Sequence, residues 1–72
     1  MAAPIAEIRD RLRIMGGGVV WIPQGMTGDV LAVAGGYAQH TIENLMLIFG
    51  YTYFQKLKHK TSTIYYYKKI MA

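Results

Sequence analysis

Two adjacent glycines, Gly35 and Gly36, interrupt an apolar stretch in the middle of the chain and most constrain its fold. Glycine adopts the positive φ angles that a tight turn requires, so the pair predicts a turn between two short elements. A small residue, Ala32, lies four positions before Gly36. Two apolar residues, Ile42 and Leu45, lie six and nine positions after the same glycine. Because a small residue lets two helices approach and apolar residues three apart hold a helix against a core, this spacing predicts two helices joined by a tight turn.

Segment 28–45 resembles the helix-turn-helix signature of phage-repressor-type DNA-binding proteins. The resemblance covers eighteen of the 72 residues. It depends on the Leu31–Ala32 pair, on Tyr37, and on the run that contains Gln39, Ile42, Glu43 and Leu45.

Local patterns predict the elements in the first two thirds of the chain. A helix begins at Pro4, where the missing N–H costs nothing, and the glycine run 16–18 ends it. Residues 19–22 are β-prone and predict a short strand. Thr27 is a candidate N-cap for a helix that runs to residue 34, and a further helix spans 38–49 with Gly50 after it. The apolar stripe of the first helix consists of Ile5, Ile8, Leu12 and Met15.

The last third of the chain predicts a β-hairpin. Segments 51–58 and 63–70 are rich in Tyr, Thr, Phe and Ile, and the polar residues 59–62 connect them. Phe54 and Leu57 differ in parity, so the first strand either contains a bulge or buries only one of them. Strict alternation assigns one face of the second strand to Ile64, Tyr66 and Ile70 and the other to Tyr65, Tyr67 and Lys69.

The order of these elements extends the resemblance to nearly the whole chain, which is similar to a winged helix-turn-helix domain. The expectation is therefore a single α+β domain, residues 1–72, with the order α-β-α-α-β-β. Its helix-turn-helix covers 27–50, and its C-terminal β-hairpin wing covers 51–70. One alternative stays open: residues 19–22 and 30–34 can pair as a hairpin around 24–28, which gives the order α-β-β-α-β-β. The run 30–34 is too short for periodicity to decide, although two alanines, a leucine and the Thr cap favour a helix.

Charge is distributed unevenly along the chain. Residues 44–72 contain five lysines and no carboxylate, whereas residues 1–43 contain three arginines and four carboxylates. A basic segment with nothing to neutralise it is typical of a surface that binds a polyanion. A solvated face of a tyrosine-rich hairpin is the alternative interpretation.

The resemblance implies where DNA contacts would lie. In helix-turn-helix proteins the second motif helix enters the major groove with its N-terminal residues towards the bases. The wing would hold phosphates through basic and hydroxyl side chains. The implied base-contacting residues are Gln39, His40, Glu43 and Asn44. The implied phosphate-contacting residues are Lys56, Lys58, His59, Lys60, Thr61 and Ser62.

Composition argues against an enzyme or a metalloprotein. The chain has no cysteine, one serine and two histidines, His40 and His59, so neither a catalytic triad nor a metal-ligand set can be assembled, and no cofactor is expected. No apolar run approaches the ~20 residues that span a membrane, and the N-terminus lacks a signal-peptide pattern. The sequence predicts an intracellular, cytoplasmic protein, associated with a nucleoid or located in a host cell, without a membrane partner.

The leading hypothesis is a small sequence-specific protein that binds double-stranded DNA and regulates transcription in a phage, plasmid or microbe, with a homodimer as a further expectation. An alternative is a protein-interaction module with the same fold, for instance a viral-type inhibitor or cofactor of host polymerase or nuclease machinery. RNA binding through the basic hairpin is a third interpretation. Stacking of single-stranded bases on Tyr65 and Tyr67 is a fourth, and Trp21 is assigned to the core.

Overall fold

Two β-hairpins, each preceded by a helix, make up the fold. A computed structural model describes residues 4–35 and 39–70 of the chain. The elements in chain order are α1 (Ile5–Ile14), β1 (Val19–Trp21), β2 (Val30–Ala34), α2 (Gln39–Ile48), β3 (Tyr51–His59) and β4 (Ser62–Lys69). The four strands form one antiparallel sheet in the order β1-β2-β4-β3. The predicted α+β class is therefore confirmed.

The segment predicted to be the first motif helix is a strand. β2 lies inside the sheet, because Ala32 pairs with Trp21 of β1 on one side and with Tyr66 of β4 on the other. Leu31, Ala32 and Val33 are all fully buried, and three consecutive buried residues fit a central strand better than one face of a helix. The predicted order α-β-α-α-β-β is therefore wrong, and so is the helix at 27–34 within the predicted helix-turn-helix. The observed order is the alternative, α-β-β-α-β-β.

The N-cap prediction for Thr27 is wrong for a related reason. The Thr27 hydroxyl accepts a hydrogen bond from the Asp29 backbone N–H at 3.3 Å, as a cap would. The backbone N–H of Val30 also donates to the Thr27 carbonyl at 3.3 Å, which closes a four-residue turn. The same side-chain chemistry that begins a helix here ends a loop and leads into β2.

Both helices lie close to where local patterns predict them. In α1, Ile8 and Leu12 are fully buried, and the predicted stripe also contributes Ile5 and Met15 to the margin of the core. α2 buries Ile42 and Leu45 as predicted, and Met46 with them. Its predicted start at residue 38 and the second glycine of the predicted turn fall outside the described residues.

The predicted hairpin at the C-terminal end is confirmed, with strands one residue longer at the connection than expected. The pairing of β3 with β4 shifts by one residue between Tyr53 and Gln55, so the bulge is at Phe54. Phe54 and Leu57 are both exposed, at 42% and 49%. The extra residue of the bulge therefore allows Phe54 and Leu57, which are an odd number of positions apart, to lie on the same side of the sheet, away from the core.

One face of the sheet holds the core, and neither helix of residues 4–35 and 39–70 lies on the other. Alternate strand residues such as Val20, Leu31 and Val33 contact the buried residues of α1 and α2 in a single cluster. Tyr67 lies in this cluster, and Tyr53 packs against it at a ring-centroid distance of 6.0 Å. The opposite face, called the open face below, is formed by the intervening residues of all four strands.

Candidate nucleic-acid interface

The β3–β4 hairpin is longer than the rest of the sheet. β2 pairs with β4 only as far as Ala34↔Ile64, whereas β3 continues to His59↔Ser62. At about 3.3 Å per residue, β4 extends roughly 7 Å beyond its last pair with β2. The end of the hairpin, residues 56–62, is called the basic tip below.

A two-residue connection, Lys60 and Thr61, closes the basic tip between His59 and Ser62. Lys60 is the one non-glycine residue of the described chain with a positive φ, at 55°. Two-residue hairpin loops require such angles because their twist then matches that of the strands. The loop therefore directs a lysine outwards at the far end of the molecule, at the cost of some backbone strain.

The side chains predicted to contact phosphates are all exposed and close together in the basic tip. Lys56 and Lys58 alternate with Leu57 along β3, and no ion pair of the described residues involves them or Lys60. The structure therefore brings the predicted set together, and its contact with phosphate remains a prediction. The set consists of Lys56, Lys58, His59, Lys60, Thr61 and Ser62.

Within the described residues, no carboxylate forms an ion pair with a lysine of the basic tip. Asp10 accepts an ion-pair hydrogen bond from Arg13 at 2.9 Å within α1. Asp29 lies 3.9 Å from the ammonium of Lys69, at the opposite end of the hairpin. Glu43 lies on α2, near enough to Tyr67 to contribute to the raised pKa of that core tyrosine. The positive charge of the tip is therefore not locally neutralised.

The residues predicted to read bases lie on α2, and only some of them are accessible. His40 and Asn44 are exposed, whereas Gln39 and Glu43 are half-buried. α2 carries no lysine or arginine, and the helix that would support it in a groove is replaced by β2. The structure places these four side chains on one helix but does not combine them with the basic tip in a single motif.

The open face carries an aromatic row that local sequence patterns did not reveal. Trp21, Ala32 and Tyr66 are paired neighbours across three strands and therefore share this face. The small Ala32 separates the two aromatic side chains, and it is fully buried beneath its neighbours. Trp21, assigned to the core from sequence, is half-buried on the open face instead.

A groove of about 280 Å³ crosses the open face beside this row. Tyr66 and Val30 come from the central strands, and the β1–β2 loop and β3 contribute the residues on either side. The lining residues are Pro23, Met26, Val30, Phe54, Gln55, Leu57 and Tyr66. This set, called the open-face groove, is apolar except for the Gln55 amide and the Tyr66 hydroxyl.

A cation lies at the margin of the groove. The ammonium of Lys68 is 5.6 Å from the centre of the Phe54 ring, a distance at which the ring attracts the charge. Lys68 pairs with Val30 and Thr52 across the sheet, so it belongs to the open face. The open face therefore combines aromatic rings, an amide and a positive charge.

Comparisons with protein-family models, with curated proteins and with solved structures found no match to this chain. Among the described residues, no three His, Cys, Asp or Glu side chains lie together in a way that could hold a metal ion. Within residues 4–35 and 39–70, neither helix has the length and apolar character needed to cross a bilayer.

Sequence patterns did not indicate the open face, because its recognition required the strand assignment of residues 30–34. In the alternative with a hairpin at 19–34, alternation along each strand would direct Val20 and Leu31 to one face of the sheet and Trp21 and Ala32 to the other. That alternation was the sequence signal for a second face of the sheet. The basic tip could be predicted without this strand assignment, since its charges are close together in sequence.

Proposed function

We propose that this protein binds nucleic acid through contacts between the basic tip and backbone phosphates. The observation that carries this proposal is a hairpin end with three exposed lysines, two of them beyond the last residue pair of β2. None of the three forms an ion pair within the described residues. Lysine ammonium groups on flexible stems bind phosphates as point charges, and the hydroxyls of Thr61 and Ser62 can donate to phosphate oxygens. Release of counterions from the polyanion then supplies the free energy of binding.

The proposal does not include reading of duplex bases by Gln39, His40, Glu43 and Asn44. That expectation depended on a helix at 27–34 that would position α2 in a major groove, and this segment is β2. Transcriptional regulation depended on the same geometry. Phosphate binding by the tip depends on neither helix, since residues 58–62 lie beyond the last residue pair of β2 and Lys56 lies on the edge strand β3.

The salt dependence of binding tests the number of phosphates contacted. Three lysines predict a slope of log affinity against log salt of about −2.7 on duplex DNA and about −2.1 on a single strand. In the double variant Lys58→Gln/Lys60→Asn the slope on a duplex should decrease in magnitude to about −0.9. Asparagine is used at position 60 because it tolerates the positive φ that the loop requires. Fluorescence anisotropy of a labelled oligonucleotide over a salt series gives these slopes.

The matched control is Arg9→Gln/Arg11→Gln on α1, which also removes two charges from the formal net charge of +4. Both arginines are exposed, and neither takes part in an ion pair of the described residues. This control should retain most of the original slope. Equal losses in the two double variants would show that only net charge matters, and absence of binding at about 50 mM salt would refute the proposal.

A further inference from the structure

We propose that the open-face groove binds an unpaired nucleobase, so that the protein prefers single-stranded over double-stranded nucleic acid. This inference builds on the proposed function, because the basic tip supplies the phosphate contacts. A base enters the groove only when it is not paired, since a duplex presents its bases stacked and edge-on.

The bulge in β3 shapes the groove for an aromatic ligand. Without it, Phe54 rather than Gln55 would pair with Tyr66. With it, Phe54 and Gln55 both lie opposite Tyr66 and both line the groove. Bulges of this kind redirect side chains next to binding sites. A base in the groove can therefore stack on the Tyr66 and Phe54 rings, and its edge can form hydrogen bonds with the Gln55 amide.

The groove is large enough for one planar group. Its volume of about 280 Å³ is near the lower end of the roughly 300–1,000 Å³ of small-ligand pockets. The side chains of Val30 and Tyr66, which are half-buried, form the floor of the groove. A bound ligand would exclude further water from them. Met26, Leu57 and Phe54, at 54%, 49% and 42% exposure, are the exposed large hydrophobic side chains of its walls. A base that stacks on the Phe54 and Tyr66 rings covers apolar surface that otherwise contacts water.

Charge favours a polyanion over a protein copy as the occupant. The open face carries the Lys68 ammonium, with the His59 imidazole towards the tip, whereas none of the four carboxylates in the described chain lies on it. A symmetric pair of copies would use the same face twice and add a second ammonium group without a compensating acid. A nucleotide strand instead places negative phosphates beside the Lys68 ammonium.

The groove and the loop of the basic tip are continuous along the open face of β3. Leu57 lines the groove, His59 follows it on the same face, and Lys60 lies in the loop, whereas the side chain of Lys58 lies on the other face. At about 3.3 Å per residue, Lys60 lies roughly 10 Å from Leu57. A strand with its base in the groove can therefore extend its backbone over the tip without crossing an acidic surface.

An abasic oligonucleotide provides the decisive probe, because it carries the phosphates without the bases. Oligo(dT) and an abasic strand, both of about twelve nucleotides, are compared by anisotropy with the wild-type chain. The inference predicts that oligo(dT) binds about 5- to 150-fold more tightly, as expected for one stacked base. The same comparison with oligo(rU) shows whether DNA or RNA is preferred.

Two variants test the assignment of the groove. Phe54→Leu and Tyr66→Leu remove an aromatic ring but no charge, so each should reduce the preference for bases at least fivefold and leave the salt slope unchanged. Tyr66→Phe keeps the ring and serves as the matched control. Because Phe54 is exposed, its replacement leaves the core intact even if Tyr66→Leu disturbs the fold.

The outcomes separate this inference from the proposed function. Equal binding of the two strands, weakened alike by Lys58→Gln/Lys60→Asn, would overturn the groove proposal and leave the phosphate proposal standing. If neither strand binds at low salt, both fail. A dimer in sedimentation experiments that dissociates in Leu57→Gln would identify the open face as an interface between copies, and this too would overturn the inference.

Discussion

Two tyrosines of the core differ in what their hydroxyl groups contact. Tyr51 is almost fully buried, and its hydroxyl donates a hydrogen bond to the Gly28 carbonyl, which joins the start of β3 to the loop before β2. Tyr67 is fully buried on the neighbouring strand, and its hydroxyl has no partner among the described residues. A buried hydrogen bond stabilises a fold modestly, whereas an unsatisfied buried hydroxyl destabilises it.

This contrast predicts opposite effects of the same substitution. Tyr51→Phe should lower the free energy of unfolding by about 0.5–1.5 kcal/mol, because the bond to Gly28 is lost. Tyr67→Phe should raise it by about 1 kcal/mol, because an unpaired polar group leaves the core. Urea denaturation of both variants beside the wild type measures the two changes. Destabilisation of similar size in both variants would contradict the assigned hydroxyl partners.

At the scale of elements, the junction between α1 and β1 depends on glycine. Gly18 has a φ of 121°, a conformation that other residues rarely adopt. A Cβ at this position would lie 3.4 Å from the Gly35 carbonyl oxygen and 3.7 Å from a methyl carbon of Leu12. These are ordinary van der Waals distances, so the positive φ, and not a lack of space, favours glycine at this position.

Gly18→Ala should lower the free energy of unfolding by about 1–3 kcal/mol, because alanine rarely adopts a φ of 121°. The matched control is Gly17→Ala, which has a similar φ of 128° and would meet nothing within 4 Å, so it isolates the backbone strain. The two variants should therefore cost similar amounts. Thermal denaturation gives both values, and a much larger cost at position 18 would show that packing against Gly35 outweighs the strain.

The element that the helix-turn-helix resemblance misassigned is a short apolar run. Five residues with two alanines and a leucine satisfy a helix locally, and Thr27 makes the contact typical of a cap. β2 is nevertheless a strand, because β1 and β4 on either side satisfy its backbone hydrogen bonds. Its core face packs against the two helices, and Ala32 on the other face is buried between its paired neighbours. α1 and the β3–β4 hairpin were predicted well, since each has a long periodic pattern.

For the whole molecule, the core tyrosines make the free energy of unfolding decrease at alkaline pH. Burial, followed by the nearby Glu43 carboxylate, raises the pKa of Tyr67 from 10.0 to about 12. Burial and then Asp29 raise the pKa of Tyr51 as well. The folded chain therefore keeps phenolic protons that the unfolded chain releases above pH 10. The contribution of these tyrosines to the free energy of unfolding is fully present below that pH and is lost as the pH rises towards 12.

The expected loss attributable to Tyr67 over this interval is about 2–3 kcal/mol, at roughly 1.4 kcal/mol per pH unit. Tyr67→Phe should remove this contribution and flatten the curve of stability against pH. Tyr66→Phe, on the open face, should leave the loss in place. Urea midpoints recorded across the alkaline range test this, and a curve that Tyr67→Phe does not change would exclude the core tyrosine as the cause.

Of the candidate interface, the basic tip could be predicted from the sequence, whereas the groove could not. Lys56, Lys58 and Lys60 are close in sequence on a predicted hairpin, so their proximity follows from the strand geometry alone. The groove combines Met26 and Val30 with Phe54 and Tyr66, which come from two different hairpins. No local pattern indicates that these hairpins share a sheet.

The sequence by itself determined the two helices, the long hairpin and the charge at its end, because each depends on residues only a few positions apart. The tertiary structure alone decided that residues 30–34 form a strand, which face the helices cover, and that Trp21 and Tyr66 share the uncovered face. The physical reason is that a strand acquires its hydrogen bonds and its burial from distant partners. Here those partners are β1 and β4, and their pairing with β2 replaced the helix that local propensity favoured.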